Sequence, residues 1–132
     1  MNNRTIELAE YRLQQAHQCL VSSRVLLDTD DYKGSVNRSY YCIFHCMRSV
    51  LALESKDFSK HSGVSAYFRK EYIKNGIFDV RMSDIISEAF DMRSNSDYDD
   101  FYVISKEEVK EQIENAEYFY NQVANYIIKT TK

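Results

Sequence analysis

From Ile6 onward, apolar and small residues fall in alternating steps of three and four: Ile6, Ala9, Leu13, Ala16, Leu20, Ser23 and Leu27. Positions so spaced share one face of a helix, so the pattern predicts a long first helix ending near Asp28. Asp30 or Asp31 is suited to cap a second helix. In it Val36, Tyr40, Ile43, Met47 and Val50 keep the rhythm while Tyr41, Phe44 and Leu51 widen the face. So broad an apolar face predicts a central, largely buried helix. The polar stretch from Ser55 to Lys60 reads as a connection, followed by a shorter helix around Val64 to Lys74 that Asn75-Gly76 stops with a left-handed cap. A fourth helix is expected from Met82 or Ser83 to Arg93, with an extension to Asp97 left open. Ser105, with Glu108 three residues on, forms a capping-box pattern that opens a fifth helix striped by Val109, Ile113, Ala116, Tyr120, Val123 and Ile127. Helices one, two and five form the expected scaffold, and the shorter third and fourth segments with their loops are the expected place for a site.

Composition strengthens the helical reading. The 132 residues contain no proline and only three glycines, Gly34, Gly63 and Gly76, so helix breakers are scarce. A chain of this length forms one all-α domain, residues 1–132, able to bury roughly two-thirds of its unfolded surface. Eleven tyrosines and seven phenylalanines without tryptophan predict an aromatic interior in which many hydroxyls need a partner or a wet edge. Cys19, Cys42 and Cys46 are odd in number, and the opening Met-Asn-Asn-Arg-Thr shows no secretory h-region, which predicts reduced thiols and a cytoplasmic location. No apolar run reaches the roughly 18 residues of a membrane span.

The net charge of -3 argues against coating nucleic acid by bulk electrostatics. Residues 1–75, however, carry eleven Lys or Arg against eight Asp or Glu, for +3, and residues 76–132 carry six against twelve, for -6. The first half is suited to phosphate and the second to a basic partner, unless the unevenness is only a solvated surface.

Arg93 breaks the fourth stripe. Met82, Ile86 and Ala89 recur on one face, and the next position on it is a guanidinium. Buried unpaired, it would cost several kcal/mol. It therefore either pairs with Asp97, Asp91, Asp99 or Asp100, or faces a polar cleft that can receive phosphate. On helix two, Arg38, Tyr41, His45 and Arg48 make a basic and aromatic strip beside the apolar stripe. Such a strip can grip a phosphate and stack a base, or hydrogen-bond within the bundle and line an interface. His61, read as a loop residue beside Lys60 and Gly63, precedes Arg69, Lys70 and Lys74. The start of that helix can receive an anion on free backbone N–H groups, or Ser59 or Ser62 caps it and His61 packs. Cys42, His45 and Cys46 lack a second ligand pair, which favours core cysteines over a metal site. No phosphate loop, Gly-rich dinucleotide turn or nucleophile elbow occurs, and no cofactor is expected.

Three strings together resemble the HEPN domain family: Asn37-Arg38-Ser39-Tyr40-Tyr41-Cys42-Ile43-Phe44-His45-Cys46-Met47-Arg48-Ser49-Val50-Leu51; Lys60-His61-Ser62-Gly63-Val64 with Phe68; and Arg93 followed by Asp97-Tyr98. The likeness is to its small stand-alone prokaryotic branch and spans nearly the whole chain. It implies a five-helix up-and-down bundle, a homodimer, and association with a minimal nucleotidyltransferase in toxin–antitoxin modules. Many members resemble metal-independent endoribonucleases in which an arginine is followed, four to six residues on, by a histidine. Arg93 matches the arginine, but counting forward reaches Tyr98, Asp99 and Asp100, and no histidine follows it anywhere in the chain. A tyrosine, with an ordinary pKa near 10, is a poor general base. His61 is the spare histidine that could substitute. In some partnered members a tyrosine near the motif receives AMP. Tyr98 or Tyr102 is similarly placed, without the histidine that precedes it there.

Three readings follow. The first is a nucleotide- or RNA-binding protein, or nucleotidyltransferase partner, using Arg93, Arg38, Arg48, His45, Lys60 and His61, supported by Asp97, Tyr98, Tyr102 and Tyr41. The second is an endoribonuclease using Arg93 with Tyr98 or His61. The third is a dimeric scaffold in which Arg93 is structural.

Overall fold

A computed structural model describes residues 1–132 as five helices and no strand: α1, Asn3–Asp28; α2, Tyr32–Leu53; α3, His61–Phe68; α4, Arg81–Tyr98; and α5, Lys106–Thr131. A π turn, Arg69–Ile73, continues directly from α3. The three long helices and two shorter ones are those expected from the stripes. None of them is long and apolar enough to cross a membrane.

The helix starts obey local chemistry. Asn2 accepts from the Thr5 N–H at 3.0 Å, and Asp31, rather than Asp30, accepts from the Gly34 N–H at 2.9 Å. At α5 both arms of the capping box form, Glu108 N–H to Ser105 Oγ and Ser105 N–H to Glu108 Oε1, each at 3.1 Å. Gly76 takes φ +81 after the π turn, the left-handed geometry that a Cβ disfavours.

α1 packs along α2 through small side chains. Ala9, Ala16 and Ser23 are fully buried, so the backbones approach closely enough for serines of α2 to bond α1 carbonyls. Ser49 Oγ donates to Ala9 O and Ser35 Oγ to Ser23 O, both at 2.7 Å. α2 runs through the centre of the core with Val36, Ile43, Met47, Val50 and Leu51. Cys42 and Cys46 are fully buried free thiols within it. Burial, first of all, holds the Cys46 thiol well above its ordinary pKa.

α5 closes the bundle with Val109, Ile113, Ala116, Val123 and Ile127. The deepest aromatic of that helix is Phe119, fully buried, whereas Tyr120 of the expected stripe is half-buried against His17, ring centroids 5.5 Å apart. The slightly broader face follows from what sits opposite: Phe68 stacks 5.6 Å from Phe119 and 5.4 Å from Phe78, and Phe78 meets Tyr126 at 5.3 Å. This aromatic cluster fastens the α3–π segment to α5.

Two details around α3 depart from the sequence reading. The helix begins at His61, so this histidine is its first residue and not part of the loop. Its first turn closes when Gly63 and Val64 N–H donate to Lys60 O, at 3.1 and 3.3 Å. Neither Ser59 nor Ser62 caps it. Lys60 holds the capping position and no side chain bonds the free N–H groups. Gly63 sits close against Phe58: a Cβ there would lie 3.0 Å from Phe58 Cβ, so the Phe58 side chain would have to give way.

Candidate functional site

α2, α3 and α4 meet around Tyr40 and Tyr41. Arg93, in the fourth turn of α4, lays its guanidinium over both rings, with its carbon 5.0 Å from the Tyr40 centroid and 5.2 Å from that of Tyr41. Arg38 approaches the same Tyr41 ring at 5.1 Å. Two like charges thus share one aromatic platform, an arrangement favourable to each cation separately and repulsive between them.

The acidic compensation is partial. Asp97 Oδ2 lies 3.3 Å from Arg93 Nε, one helical turn on, as an ion pair. Its alignment falls short of a hydrogen bond, so the buried Nε has no hydrogen-bond partner. Arg38 bonds only neutral acceptors, Asn37 Oδ1 at 3.0 and 2.7 Å and Cys19 Sγ at 3.9 Å. Further along α2, Arg48 and Arg12 share a single carboxylate, Asp57, at 2.7 and 3.2 Å. Four guanidinium groups on this side of the bundle are therefore matched by two carboxylates.

Both histidines respond to that field. His45 lies 6.1 Å from Tyr41, and burial, then Arg48, Arg38, Arg12 and His61, hold its pKa below the ordinary 6.5. His61 is lowered by burial, then by Arg93 and Arg48. Both imidazoles are consequently neutral at pH 7. His61 Nδ1 is 3.0 Å from Tyr40 Oη, and its ring sits 4.0 Å from that of Phe44. Burial keeps the Tyr40 hydroxyl protonated, raising its pKa against the opposing pull of Arg93. Tyr40 is thus the link between α3 and α4: it bonds His61 and carries Arg93.

Beside this cluster opens a cleft of about 290 Å³ lined by Tyr40, His61, Ser62, Ser65, Ser87 and Phe90, with Met47 and Ile86 at its apolar base. Arg69 closes one wall, held by Ser83 Oγ and Ser83 O, each at 3.0 Å, and by Ser87.

The structure brings together Arg93, Asp97, Arg38, Tyr41, His45 and His61. Arg48 stands at the edge, turned to Asp57 and 5.9 Å from the Phe44 ring. Lys60 is exposed at the start of α3. Tyr98 is 87% exposed at the end of α4, and Tyr102 is half-buried, lining a hollow with Met92 of α4 and Gln112 of α5. In the sequence Tyr40 is a plain stripe residue of the second helix, and Phe90 lies beside the fourth stripe rather than on it. A hydroxyl-bearing aromatic on the deepest stripe, and a Phe one turn before the stripe-breaking arginine, were the available signals.

The fold and site together define a small all-helical bundle with an arginine–tyrosine platform between α2 and α4. Residues 9–126 match the HEPN domain, and the chain belongs to that family. It is 34% identical over 119 residues, 90% of its length and 81% of the relative's, to a Methanocaldococcus jannaschii protein provisionally named a toxin. A UPF0332 protein of Thermotoga maritima is 31% identical over 125 residues, 95% of each chain. A second provisionally named toxin of M. jannaschii is 27% identical over 86 residues, 65% of this chain and 64% of the relative.

Proposed function

We propose that the protein is a toxin-like HEPN protein that binds RNA or a nucleotide through phosphate held at Arg93 and Arg38. The observation that carries this reading is the Tyr41 ring, flanked by two guanidinium groups at 5.1 and 5.2 Å, of which only Arg93 has a carboxylate, Asp97, beside it. A phosphate oxygen would give the terminal N–H groups of these arginines a charged acceptor and relieve the repulsion. The two relatives provisionally named toxins support the module. Fluorescence anisotropy with a short single-stranded RNA at low and moderate salt tests the proposal. Binding that weakens with salt is expected; no binding at either salt would contradict it.

A second reading, cleavage, is favoured by one contact. His61 and Arg93 share Tyr40, and with Nδ1–H donated to Tyr40 Oη the His61 Nε2 carries a lone pair able to accept a proton from a ribose 2′-hydroxyl. Arg93 would then stabilise charge on the phosphorus oxygens. Loss of full-length RNA on incubation, abolished by His61→Ala, supports this route, and intact RNA excludes it.

Family membership is the support for two partners, a second copy of the chain and a minimal nucleotidyltransferase. Tyr98 at the end of α4 and Phe101 and Val103 of the α4–α5 loop are 87, 91 and 84% exposed, an apolar and aromatic surface of the kind interfaces enrich. Sedimentation at a mass of two chains is expected, and a monomer at all concentrations would remove the first partner.

A further inference from the structure

We propose that the cleft between α2, α3 and α4 receives a single unstacked nucleobase of the RNA or nucleotide whose phosphate sits at Arg93. This rests on the phosphate reading and adds which part of the ligand gives selectivity.

The cleft has the make-up of a small-ligand site, an apolar and aromatic interior with a few convergent polar groups. Its base is Met47 and Ile86, both at least 97% buried, and its walls are the rings of Tyr40 and Phe90, 6.3 Å apart and inclined at 61°. Phe90 is 45% exposed although it belongs to the same helix as the core residues Ile86 and Ala89. That leaves a free aromatic surface at the mouth, where a base can stack irrespective of its identity. Around the rim stand hydroxyls of Ser62, Ser65 and Ser87, the His61 imidazole and the Asp91 carboxylate, which supply both donors and acceptors to the edges of a base.

Distance and wiring connect the cleft to the phosphate platform. Tyr40 belongs to both: it lines the cleft, bonds His61 at 3.0 Å and carries the Arg93 guanidinium 5.0 Å from its centroid. Phe90 and Arg93 are i and i+3 on α4, so they are neighbours on its surface. A nucleotide can therefore place its phosphate at Arg93 and its base on Phe90 without crossing more than the Tyr40 ring. The start of α3, uncapped by any side chain, contributes His61 and Ser62 to the same rim.

Calorimetric titration of the full chain at low salt with 5′-AMP, 5′-GMP, 5′-CMP and 5′-UMP, against ribose 5-phosphate, reads the base contribution directly. At least one nucleotide should bind about tenfold more tightly than ribose 5-phosphate, the scale of one base–aromatic stack. Phe90→Ala, and separately Ser65→Leu to fill the rim, should remove that difference while ribose 5-phosphate binds as before and helical circular dichroism is unchanged. Arg93→Ala should weaken nucleotide and ribose 5-phosphate alike. If nucleotides and ribose 5-phosphate bind equally, or if Phe90→Ala and Ser65→Leu leave the difference in place, the base cleft is refuted and the phosphate reading stands. If no nucleotide binds, the base cleft is refuted, and the RNA anisotropy experiment decides separately whether the phosphate reading falls too.

Discussion

Arg93 interrupts the Met82, Ile86, Ala89 stripe, and the structure shows what an arginine can do there that an aliphatic residue cannot. It covers two tyrosine rings, pairs loosely with Asp97, and keeps a buried Nε without a hydrogen bond. An ion pair whose members are 21 and 38% exposed contributes little to stability, about 0–1 kcal/mol. The neighbouring histidines are lowered first by burial and then by the same surplus of positive charge. For His45 the native pKa is depressed, so below about pH 6.5 the unfolded chain takes up protons that the native chain resists. Stability from this group is present above the unfolded value and is lost as pH falls through the native one. Melting temperature should therefore drop between pH 7 and pH 5, and His45→Gln should flatten that slope; an equal slope in the variant would show that His45 is not responsible. Asp57, depressed first by its bond to Arg48, acts in the same direction but only below its ordinary 3.8, outside this window.

The helices were legible because their stripes are long and their caps explicit. Ser105-Glu108 and Asp31 each act as the residue types require. What escaped was tertiary. That α3 starts at His61 depends on a turn closed by the Lys60 carbonyl, with no capping side chain to announce it. That Phe119 is buried deeper than Tyr120 depends on Phe68 and Phe78 across the gap. Likewise Arg93, Arg38 and His61 could each be singled out in the sequence, but their convergence on Tyr40 and Tyr41 comes from three helices and follows no local spacing. Two substitutions test the elements. Phe119→Ala should cost about 3–5 kcal/mol in denaturant unfolding, because a fully buried ring is removed from a packed aromatic cluster. A cost under about 1 kcal/mol would mean the α3–π segment is not fastened there. Gly76→Ala should cost about 1 kcal/mol through its positive φ alone, since nothing lies within 4 Å of the added Cβ; a neutral result would mean that turn relaxes.

At the scale of the molecule, the charge asymmetry acquires a location. The basic first half contributes Arg12, Arg38 and Arg48 to one side of the bundle, joined there by Arg93 from the acidic second half. A protein of net charge -3 can therefore present a local positive face. Arg93→Ala, measured for RNA affinity and for unfolding free energy in the same preparation, tests most directly whether that face serves a ligand or the fold. The expected result is a loss of RNA affinity of about tenfold or more, as for one charge-assisted contact of about 1.5–3 kcal/mol, with stability changed by no more than about 1 kcal/mol. Unaltered RNA affinity together with a large loss of stability would make Arg93 a structural residue and contradict the phosphate site.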